Sequence, residues 1–407
     1  MIETVNNTDN SQPAFETRKP VLKVVGIGGG GSNAINRMIE LGIEGIDFIA
    51  ANTDGQALKS SLAPVKIQLG PNLTRGLGAG GKPQVGESAA EESAKEIHAA
   101  LYGADMVFIA AGMGGGTGTG AASIVARVAQ AIGAVTIAIV SLPFSFEAGR
   151  RQVNAREGLA KLRQFTDTLI TVPNDRLLQI APHDLPLEMA FRLADDVLRQ
   201  GIQGISELVL QPGVINVDFA HVRQMIQSGG GALLAIGQGE GEEKAHQAVE
   251  RALHHPLLDS VPLDQATGII VNFTGGNDLT FLEVADAMES LQRRTNKRAN
   301  IIPGIINAPQ MHDRVQVILI ITGIGSTPVS GTVLQTLQGI AATPPARATS
   351  PAAPQEIRTG QPPFIPLSEP EDIQQLQQEA PERMEVMEYT GVSNNLDVPA
   401  FIRRRMR

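Results

Sequence analysis

Two glycine-rich segments carry the residues best suited to chemistry in this sequence. The first, Gly26–Gly31, follows the apolar run VLKVV, and the second, Gly112–Gly120, follows the apolar run Asp105–Ala111. Glycine lets backbone amides approach an anion without a clash from a β-carbon, and the start of a helix carries partial positive charge. Since helices are predicted to begin near Asn33 and to span Ala121–Ile132, the two segments indicate two phosphate-binding loops.

The second segment is the more specific of the two. Six of its nine residues are glycine, and Thr117 and Thr119 add hydroxyl donors at the predicted helix start. The first segment also fits G-x-G-x-x-G, a pattern shared by dinucleotide-binding domains and by some tight turns. A third segment, Gly76–Lys82, has the spacing of a P-loop, but Pro83 stands where a P-loop places the hydroxyl that holds magnesium. We therefore exclude an ordinary P-loop ATPase and expect this segment to lie near the nucleotide without being the main cradle.

These loops need a scaffold of alternating strands and helices, and the chain supplies one. The runs VLKVVGIG, FIAANTD, DMVFIAAG, AVTIAIVSLP and TLITVPND alternate with helical stretches, which is typical of a parallel α/β sheet. Apolar residues at spacings of three and four from Leu187 to Val209 predict one long helix. The runs ALLAIGQG, GIIVNFTGG and VQVILIITGIG, with a helix near Asp278, predict a second α/β domain. The predicted fold class is α/β, with an N-terminal Rossmann-like parallel-sheet domain, a long central helix and a smaller C-terminal α/β domain.

Composition excludes several classes of protein. The 407 residues include no cysteine, which rules out disulfides and thiolate metal sites, and the net charge of -9 disfavours broad nucleic-acid binding. No run approaches the roughly 18 apolar residues of a membrane span. The N-terminus also lacks the apolar core of a signal peptide. We expect a cytoplasmic protein that has no transmembrane segment and binds no nucleic acid.

The sequence closely resembles the tubulin/FtsZ family, whose signature G-G-G-T-G-[ST]-G is matched by Gly114–Gly120. The resemblance covers nearly the whole chain, because seven further stretches match in order and spacing: GGGGSNA, ANTD, PFSFE, VPND, NVDFA, TGGNDLT and LDVPAFIRR. It implies a GTPase that polymerises head to tail into cytoskeletal filaments of the bacterial division ring. In such proteins GTP is hydrolysed at the interface between subunits.

The resemblance also implies the residues that bind GTP or GDP, with Mg²⁺ held through the nucleotide phosphates and no certain protein ligand. The two glycine loops would hold the phosphates, while Glu147 and Arg151 would lie at the ribose and phosphate side. Asn174 and an acid of the long helix would read the base, and Phe191 would stack on the purine. The expected GTP-binding residues are Gly28, Gly29, Gly30, Gly31, Ser32, Asn33, Asp54, Gly114, Gly115, Gly116, Thr117, Gly118, Thr119, Gly120, Glu147, Arg151, Asn174, Phe191, Asp195 and Asp196.

The long helix offers two candidate acids for the base, Asp195 and Asp196. Asp195 is four residues from Phe191, so the two lie on the same helix face. A carboxylate suits guanine because its N1 and N2 edge presents two donors side by side, whereas adenine presents an acceptor at N1. We therefore favour Asp195 as the guanine reader.

In this family, an acidic loop after the long helix completes the hydrolytic site of the next subunit. The corresponding loop is Pro212–Val222, where Asn216 and Asp218 match the polar residues that organise the attacking water and His221 replaces the next expected acid. Histidine is mostly neutral at neutral pH, with an ordinary pKa of about 6.5. We expect Asn216, Asp218 and His221 to be catalytic and hydrolysis to be slowed by His221, although a neutral imidazole can still act as a general base.

The expected divisions of the chain follow from these assignments and from composition. They are a disordered N-terminal tail (1–19), the GTP-binding domain (20–184), the central helix (185–211), a C-terminal domain with the catalytic loop (212–328), a disordered linker (329–393) and a partner-binding peptide (394–407). The linker is rich in Pro, Gln and Glu, so it cannot bury enough apolar surface to repay its ordering entropy.

The terminal peptide places apolar residues beside a cluster of arginines, which is typical of a docking peptide. We expect it to bind a membrane-anchoring division protein of the FtsA type, with other division proteins and further copies of the chain as additional partners. The expected location is the mid-cell division site beneath the membrane. The peptide residues expected to bind are Leu396, Asp397, Val398, Pro399, Phe401 and Ile402.

Two alternative functions stay open from the sequence. An NAD-dependent oxidoreductase would use Gly26–Gly31 for the pyrophosphate and Asp54 for the ribose, although one pyrophosphate does not need two cradles. A nucleotide-bound scaffold would assemble but scarcely hydrolyse GTP, because His221 replaces a carboxylate. Identification of a copurified nucleotide would separate the oxidoreductase from the other two functions.

Overall fold

The computed structural model of the protein describes residues 18–147, 149–179, 182, 184–210, 218–258, 263, 266–295 and 299–323. All of these residues belong to one compact unit. Most of the predicted N-terminal tail, the linker and the terminal peptide lie outside the described residues. None of the helices in the described part of the chain is long and apolar enough to cross a membrane.

Ten strands and twelve α-helices are assigned within the described residues. The strands are β1 (Leu22–Ile27), β2 (Ile46–Asn52), β3 (Val65–Gln68), β4 (Met106–Gly112), β5 (Val135–Leu142), β6 (Thr168–Pro173), β7 (Gly230–Glu240), β8 (Gly268–Gly275), β9 (Asn300–Asn307) and β10 (Arg314–Thr322). The helices are α1 (Gly28–Glu40), α2 (Gly55–Lys59), α3 (Pro71–Thr74), α4 (Pro83–Glu92), α5 (Ala94–Leu101), α6 (Thr117–Ala131), α7 (Gly149–Leu162), α8 (Asn174–Leu177), α9 (Leu187–Leu210), α10 (Phe219–Gly229), α11 (Lys244–Leu253) and α12 (Phe281–Arg294).

The strands form one sheet in the order β3-β2-β1-β4-β5-β6-β7-β10-β8-β9. Strands β1 to β6 are parallel to their neighbours, whereas β10 pairs antiparallel with both β7 and β8. The strand order reverses between β1 and β4, because β1 pairs with β2 on one side and with β4 on the other. In open parallel sheets, ligands bind outside the carboxyl ends of the strands at such a reversal. The glycine-rich segments follow β1 and β4, so the fold brings them to this point.

Successive residues of the strands supply two hydrophobic layers on opposite faces of the sheet. Val24 packs in the layer that includes α1 and α9, and Val25 packs in the layer that includes α4, α5, α6 and α7. A third apolar cluster joins α11 and α12 to strands β8 and β10. Burial on both faces explains why these strands read as continuous apolar runs.

The structure confirms the predicted fold class of an α/β protein with a parallel-strand sheet, an N-terminal domain and a C-terminal domain. Two helices begin earlier than the sequence indicated, α1 at Gly28 instead of Asn33 and α6 at Thr117 instead of Ala121. Their first turns are rich in glycine, which has low intrinsic helix propensity, so the pattern resembled loop. The sequence pattern did not reveal α10, α11 or β9.

Candidate functional site

A cleft of about 290 Å³ lies where the strand order reverses. Its wall includes Ile27 at the end of β1, Gly112 at the end of β4 and Leu142 at the end of β5. Helices α1 and α6 both begin at this cleft, so two positive helix ends face the same space. A cleft of this kind suits a ligand with several anionic groups.

Most of the predicted GTP-binding residues line this cleft. Those in the lining are Gly29, Gly30, Ser32, Asn33, Gly115, Gly116, Thr117, Gly118, Glu147, Arg151, Asn174, Phe191 and Asp195. Those outside it are Gly28, Gly31, Asp54, Gly114, Thr119, Gly120 and Asp196. Residues from the first strand end to the long helix α9 therefore converge on one space.

Several glycines outside the lining allow close packing behind the loops. Gly28 has φ +69°, and a β-carbon built there would lie 3.0 Å from the backbone nitrogen of Gly118. A β-carbon on Gly120 would lie 2.0 Å from the carbonyl oxygen of Pro83, at the start of α4. These glycines let the two loops and α4 approach one another, which sets the shape of the cleft.

The first loop presents a buried hydroxyl to the cleft. Ser32 lies in the second turn of α1 and is 4% exposed. Its Oγ atom has no hydrogen-bond partner among the described residues. Buried polar atoms are normally paired, so this one points to a ligand that would complete it.

The two threonines of the second loop differ in their surroundings. Thr117 is the first residue of α6 and lines the cleft. Thr119 is 2% exposed, and its hydroxyl accepts a hydrogen bond from the Gly114 amide at 2.8 Å. Thr119 therefore holds the shape of the loop, while Thr117 faces the space where a ligand would lie.

A second unpaired atom lies near the opposite strand end. Asn174 follows β6 as the first residue of α8 and is 5% exposed. Its Oδ1 atom also lacks a hydrogen-bond partner within the part of the chain that the structure describes. Phe191, on α9, lines the same cleft and contacts Phe144 edge to face with ring centroids 5.3 Å apart. This end combines an aromatic wall with an amide acceptor, a combination that suits a flat polar ring.

The two candidate acids on α9 have different surroundings. Asp195 lines the cleft, where burial raises the pKa of its carboxyl to about 8, opposed by the positive charge of Arg37 and reinforced by Asp196. The Asp196 carboxylate instead accepts hydrogen bonds from Arg199 at 2.7 Å and Gln200 at 2.5 Å. The structure therefore places Asp195, and not Asp196, in the lining of the cleft.

Glu147 and Arg151, four residues apart in the sequence, form an ion pair in the lining of the cleft. The Glu147 side chain is 10% exposed and also accepts a hydrogen bond from the amide of Phe144 at 2.9 Å. The Arg151 side chain is 44% exposed, so a ligand in the cleft can reach it. This pair supplies a cation beside the second loop.

Asp54 caps a helix instead of facing the cleft. Its carboxylate accepts hydrogen bonds from the amides of Gln56 at 2.9 Å and Ala57 at 3.2 Å, at the start of α2. Asp54 does not line the cleft, so the structure does not support the ribose-binding role that the NAD-dependent alternative gives to this residue. The Gly76–Lys82 segment lies against the second loop, since a β-carbon on Gly116 would be 2.8 Å from Ala79 Cβ.

Several lining residues were not among the individually expected GTP-binding residues, although three of them fall within the two predicted phosphate-binding loops. They are Ile27, Asn36, Ala57, Ser60, Gly112, Met113, Ser141, Leu142, Pro143 and Ala194. A signal existed for Ser141, because it lies at the carboxyl end of β5, where a parallel sheet places ligand contacts. Asn36, Ala57 and Ser60 come from helices whose packing the sequence pattern does not reveal.

Two of the predicted catalytic residues, Asp218 and His221, lie outside the lining of the cleft in the same chain. Asp218 is exposed just before α10, and its carboxylate accepts a hydrogen bond from the amide of Ala220 at 3.0 Å. His221 is exposed and borders a separate small recess with Thr267 and Asn300. Asn216 lies outside the described residues.

Comparisons with known proteins agree with this geometry. Residues 21–182 match the Tubulin/FtsZ family, GTPase domain, and residues 230–325 match the FtsZ family, C-terminal domain. Among solved structures, an empty FtsZ dimer from M. jannaschii is 46% identical, with a TM-score of 0.73, over 76% of this chain and 89% of that one. A point mutant of M. jannaschii FtsZ is 47% identical, with a TM-score of 0.73, over 76% of this chain and 92% of that one.

A more distant structure shares the fold alone. A GTPγS-bound protofilament of CetZ2 from Haloferax volcanii is 20% identical, with a TM-score of 0.66, over 79% of this chain and 98% of that one. The two family matches cover the glycine loops of the cleft and the C-terminal strands. The chain therefore belongs to the tubulin/FtsZ family of GTPases and carries the C-terminal domain of the FtsZ family.

Proposed function

We propose that this chain binds GTP in the cleft, polymerises head to tail and hydrolyses GTP at the interface between subunits. The observation that carries the proposal is the pair of buried, unpaired atoms, Ser32 Oγ and Asn174 Oδ1, in a cleft where two helices begin. An unpaired buried polar atom costs about 1–3 kcal/mol, which a bound nucleotide would recover. Family membership supports GTP as that nucleotide.

Polymerisation is supported by the position of the predicted catalytic segment. Asp218 and His221 are exposed and lie outside the lining of the cleft, so the segment on which hydrolysis would depend serves another copy of the chain. A contact between two different surfaces repeats without closing and produces filaments. The FtsZ relative from M. jannaschii that is 46% identical was solved as a dimer, which supports contact between copies of the chain.

Magnesium would be held chiefly by the nucleotide phosphates. Within the described residues, no three His, Cys, Asp or Glu side chains are grouped in the way that a protein metal site needs. The Glu147 carboxylate of the cleft is already paired with Arg151. When bound, the cation would neutralise charge on the phosphates, and the protein would contribute backbone amides and the Arg151 guanidinium.

A hydrolysis-poor scaffold is the second candidate function. It is favoured by His221, which stands where the family pattern places an acid and is exposed to solvent in the structure. A filament that keeps its GTP would be long-lived, because hydrolysis weakens the contact between subunits. Turnover per assembled subunit separates this scaffold from an active GTPase.

The biological setting that we propose is the division ring beneath the cytoplasmic membrane at mid-cell. The segment from Leu396 to Arg407 would dock on a membrane-anchoring protein of the FtsA type, with Val398, Phe401 and Ile402 as apolar anchors. Its arginines would also favour a loose contact with anionic lipid. Deletion of this segment should abolish recruitment to the anchoring protein while leaving GTP binding and assembly intact.

The central experiment combines sedimentation with phosphate release, using GTP, GDP and ATP at several protein concentrations. We expect pelleting with GTP and magnesium, phosphate release that increases with the assembled fraction, and neither with ATP. Guanine nucleotide should also copurify with the protein. Monomers at every concentration would refute polymerisation, and copurified NAD would refute GTP binding.

A further inference from the structure

A buried threonine behind the second glycine loop contacts the cleft only through another residue. Thr53 follows β2 directly, is 0% exposed and does not line the cleft. Its Oγ1 atom lies 2.6 Å from Oγ1 of Thr117, which does line the cleft. A short hydrogen bond between two hydroxyls therefore links the interior of the sheet to the phosphate loop.

The chemistry of a phosphate fixes the direction of this hydrogen bond. Ionised phosphate oxygens only accept hydrogen bonds, so a Thr117 hydroxyl in contact with a bound phosphate would donate its hydrogen to it. Its oxygen is then free to accept from Thr53, whose hydroxyl has no other partner among the described residues. A hydroxyl that accepts one hydrogen bond becomes a stronger donor in the next.

The backbone of Thr53 is also fixed in place. Its carbonyl oxygen accepts a hydrogen bond from the Gly78 amide at 3.1 Å and lies 3.3 Å from the Thr74 hydroxyl, whose nearest acceptor is the Gly70 carbonyl oxygen at 2.9 Å. Gly78 belongs to the Gly76–Lys82 segment, which matched a P-loop in spacing but not in its final residue. That segment therefore holds Thr53 in position for Thr117.

We propose that Thr53 is a positioning residue for phosphate binding. Its hydroxyl donates to Thr117 Oγ1, and this contact directs the Thr117 hydroxyl hydrogen toward a phosphate oxygen. The inference depends on the proposed binding of GTP in this cleft and adds a residue that acts through another. We call the two hydrogen-bonded hydroxyls of Thr53 and Thr117 the hydroxyl relay. The ribose and the base would not contact this relay, so loss of the Thr53 hydroxyl should weaken only the binding of the phosphates.

The test compares Thr53→Val, which keeps the shape but removes the hydroxyl, with Thr53→Ser, which keeps the hydroxyl. Affinities for GTP, GDP and guanosine are measured by titration calorimetry or fluorescence. We expect Thr53→Val to weaken GTP and GDP binding by about fivefold to tenfold, the usual effect of one lost hydrogen bond, and to leave guanosine unchanged. Thr53→Ser should restore most of the affinity.

A matched control comes from another buried threonine. Thr136 is 0% exposed and its hydroxyl donates to the Ala134 carbonyl at 3.2 Å, away from the cleft lining. Thr136→Val removes a buried hydroxyl without touching the relay, so nucleotide affinity should stay at the wild-type value. In a Thr117→Val background, Thr53→Val should have no further effect, since the relay has already lost its last member.

Three outcomes would overturn the proposal. They are unchanged GTP affinity in Thr53→Val, an equal loss for guanosine, and effects of Thr53→Val and Thr117→Val that add. Should Thr53→Val fail to fold, the comparison of Thr53→Ala with Thr53→Ser replaces it, because both side chains fit the space. A wild-type protein that binds neither GTP nor GDP would refute the proposed function itself, which is a distinct result.

Discussion

The nucleotide cleft and the segment Asp218–His221 differ in burial and in how their polar groups are arranged. The cleft gathers residues from strand ends and helix starts, and it leaves buried atoms such as Ser32 Oγ unpaired among the residues that the structure describes. Asp218 and His221 are exposed, and the Asp218 carboxylate accepts a hydrogen bond from the Ala220 amide within its own turn. The cleft gathers its binding groups within a single chain, whereas Asp218 and His221 point their side chains into solvent. We therefore expect that nucleotide binding and hydrolysis can be changed separately by substitutions in the two regions.

The largest effect should come from Asp218. Asp218→Asn keeps an oxygen that can accept from the Ala220 amide but removes the charge, so α10 keeps its start. Loss of a water-activating carboxylate should lower GTP turnover by at least about a hundredfold, whereas GTP affinity stays constant. Phosphate release and nucleotide titration measure the two separately.

The exposed Asp286 of α12 provides a charge-matched control for this change. Asp286→Asn should leave both turnover and affinity at wild-type values. If Asp218→Asn weakened GTP binding in the monomer, the separation between the two regions would be wrong.

The next largest effect concerns the base. Asp195→Asn replaces a carboxylate that accepts from two guanine donors by an amide that accepts from one and donates to the other position. Hydrogen bonds to charged groups contribute roughly 1.5–3 kcal/mol, so GTP affinity should fall about tenfold to a hundredfold. XTP carries an oxygen at C2 in place of the amino group of guanine. The Asp195→Asn variant should therefore bind XTP more tightly than the wild-type protein does. The same competition experiment with Asp196→Asn should show little change in base preference.

These residues also show how far the sequence predicted the site. The glycine loops and Asp195 were predictable, because parallel strand ends and helical spacing, together with the family signature, place them at one site. The start of α1 at Gly28 was not, since tertiary packing overrides the low helix propensity of glycine. Thr53 was missed because a buried hydroxyl acts through a contact between residues 64 positions apart. Patterns predict elements, but contacts between distant segments require the fold.

A smaller effect should appear in the pH dependence of binding. Burial raises the pKa of Asp195 to about 8, so its carboxyl is mostly protonated in the free protein below that pH. Guanine needs the carboxylate, and binding must then release a proton. GTP affinity should rise with pH, by at most about tenfold per unit below pH 8, and level off above it.

Asp195→Asn provides the control for this measurement, because it cannot titrate. Titrations from about pH 6 to pH 9 should show a flat profile for the variant where the wild type rises. A flat wild-type profile would show that Asp195 is ionised before the nucleotide binds, with Arg37 outweighing burial. A falling profile would contradict the assignment of Asp195 as the guanine reader.

The smallest effect should come from a substitution of His221. The resemblance places an acid at this position, and a carboxylate there would supply a fixed charge to the nucleotide of the neighbouring subunit. His221 is exposed and outside the cleft of its own chain, so His221→Asp should leave nucleotide affinity unchanged. If the added carboxylate lowers the activation free energy of hydrolysis by roughly 1.4 kcal/mol, turnover per assembled subunit should rise about tenfold. Filaments should also become shorter-lived in sedimentation time courses.

His221→Asn is the neutral control, and it should not increase turnover. Unchanged or lower turnover in His221→Asp would mean that the imidazole is itself a competent general base or takes no part in hydrolysis. In either case, the replacement of the expected acid by His221 would not be what slows hydrolysis.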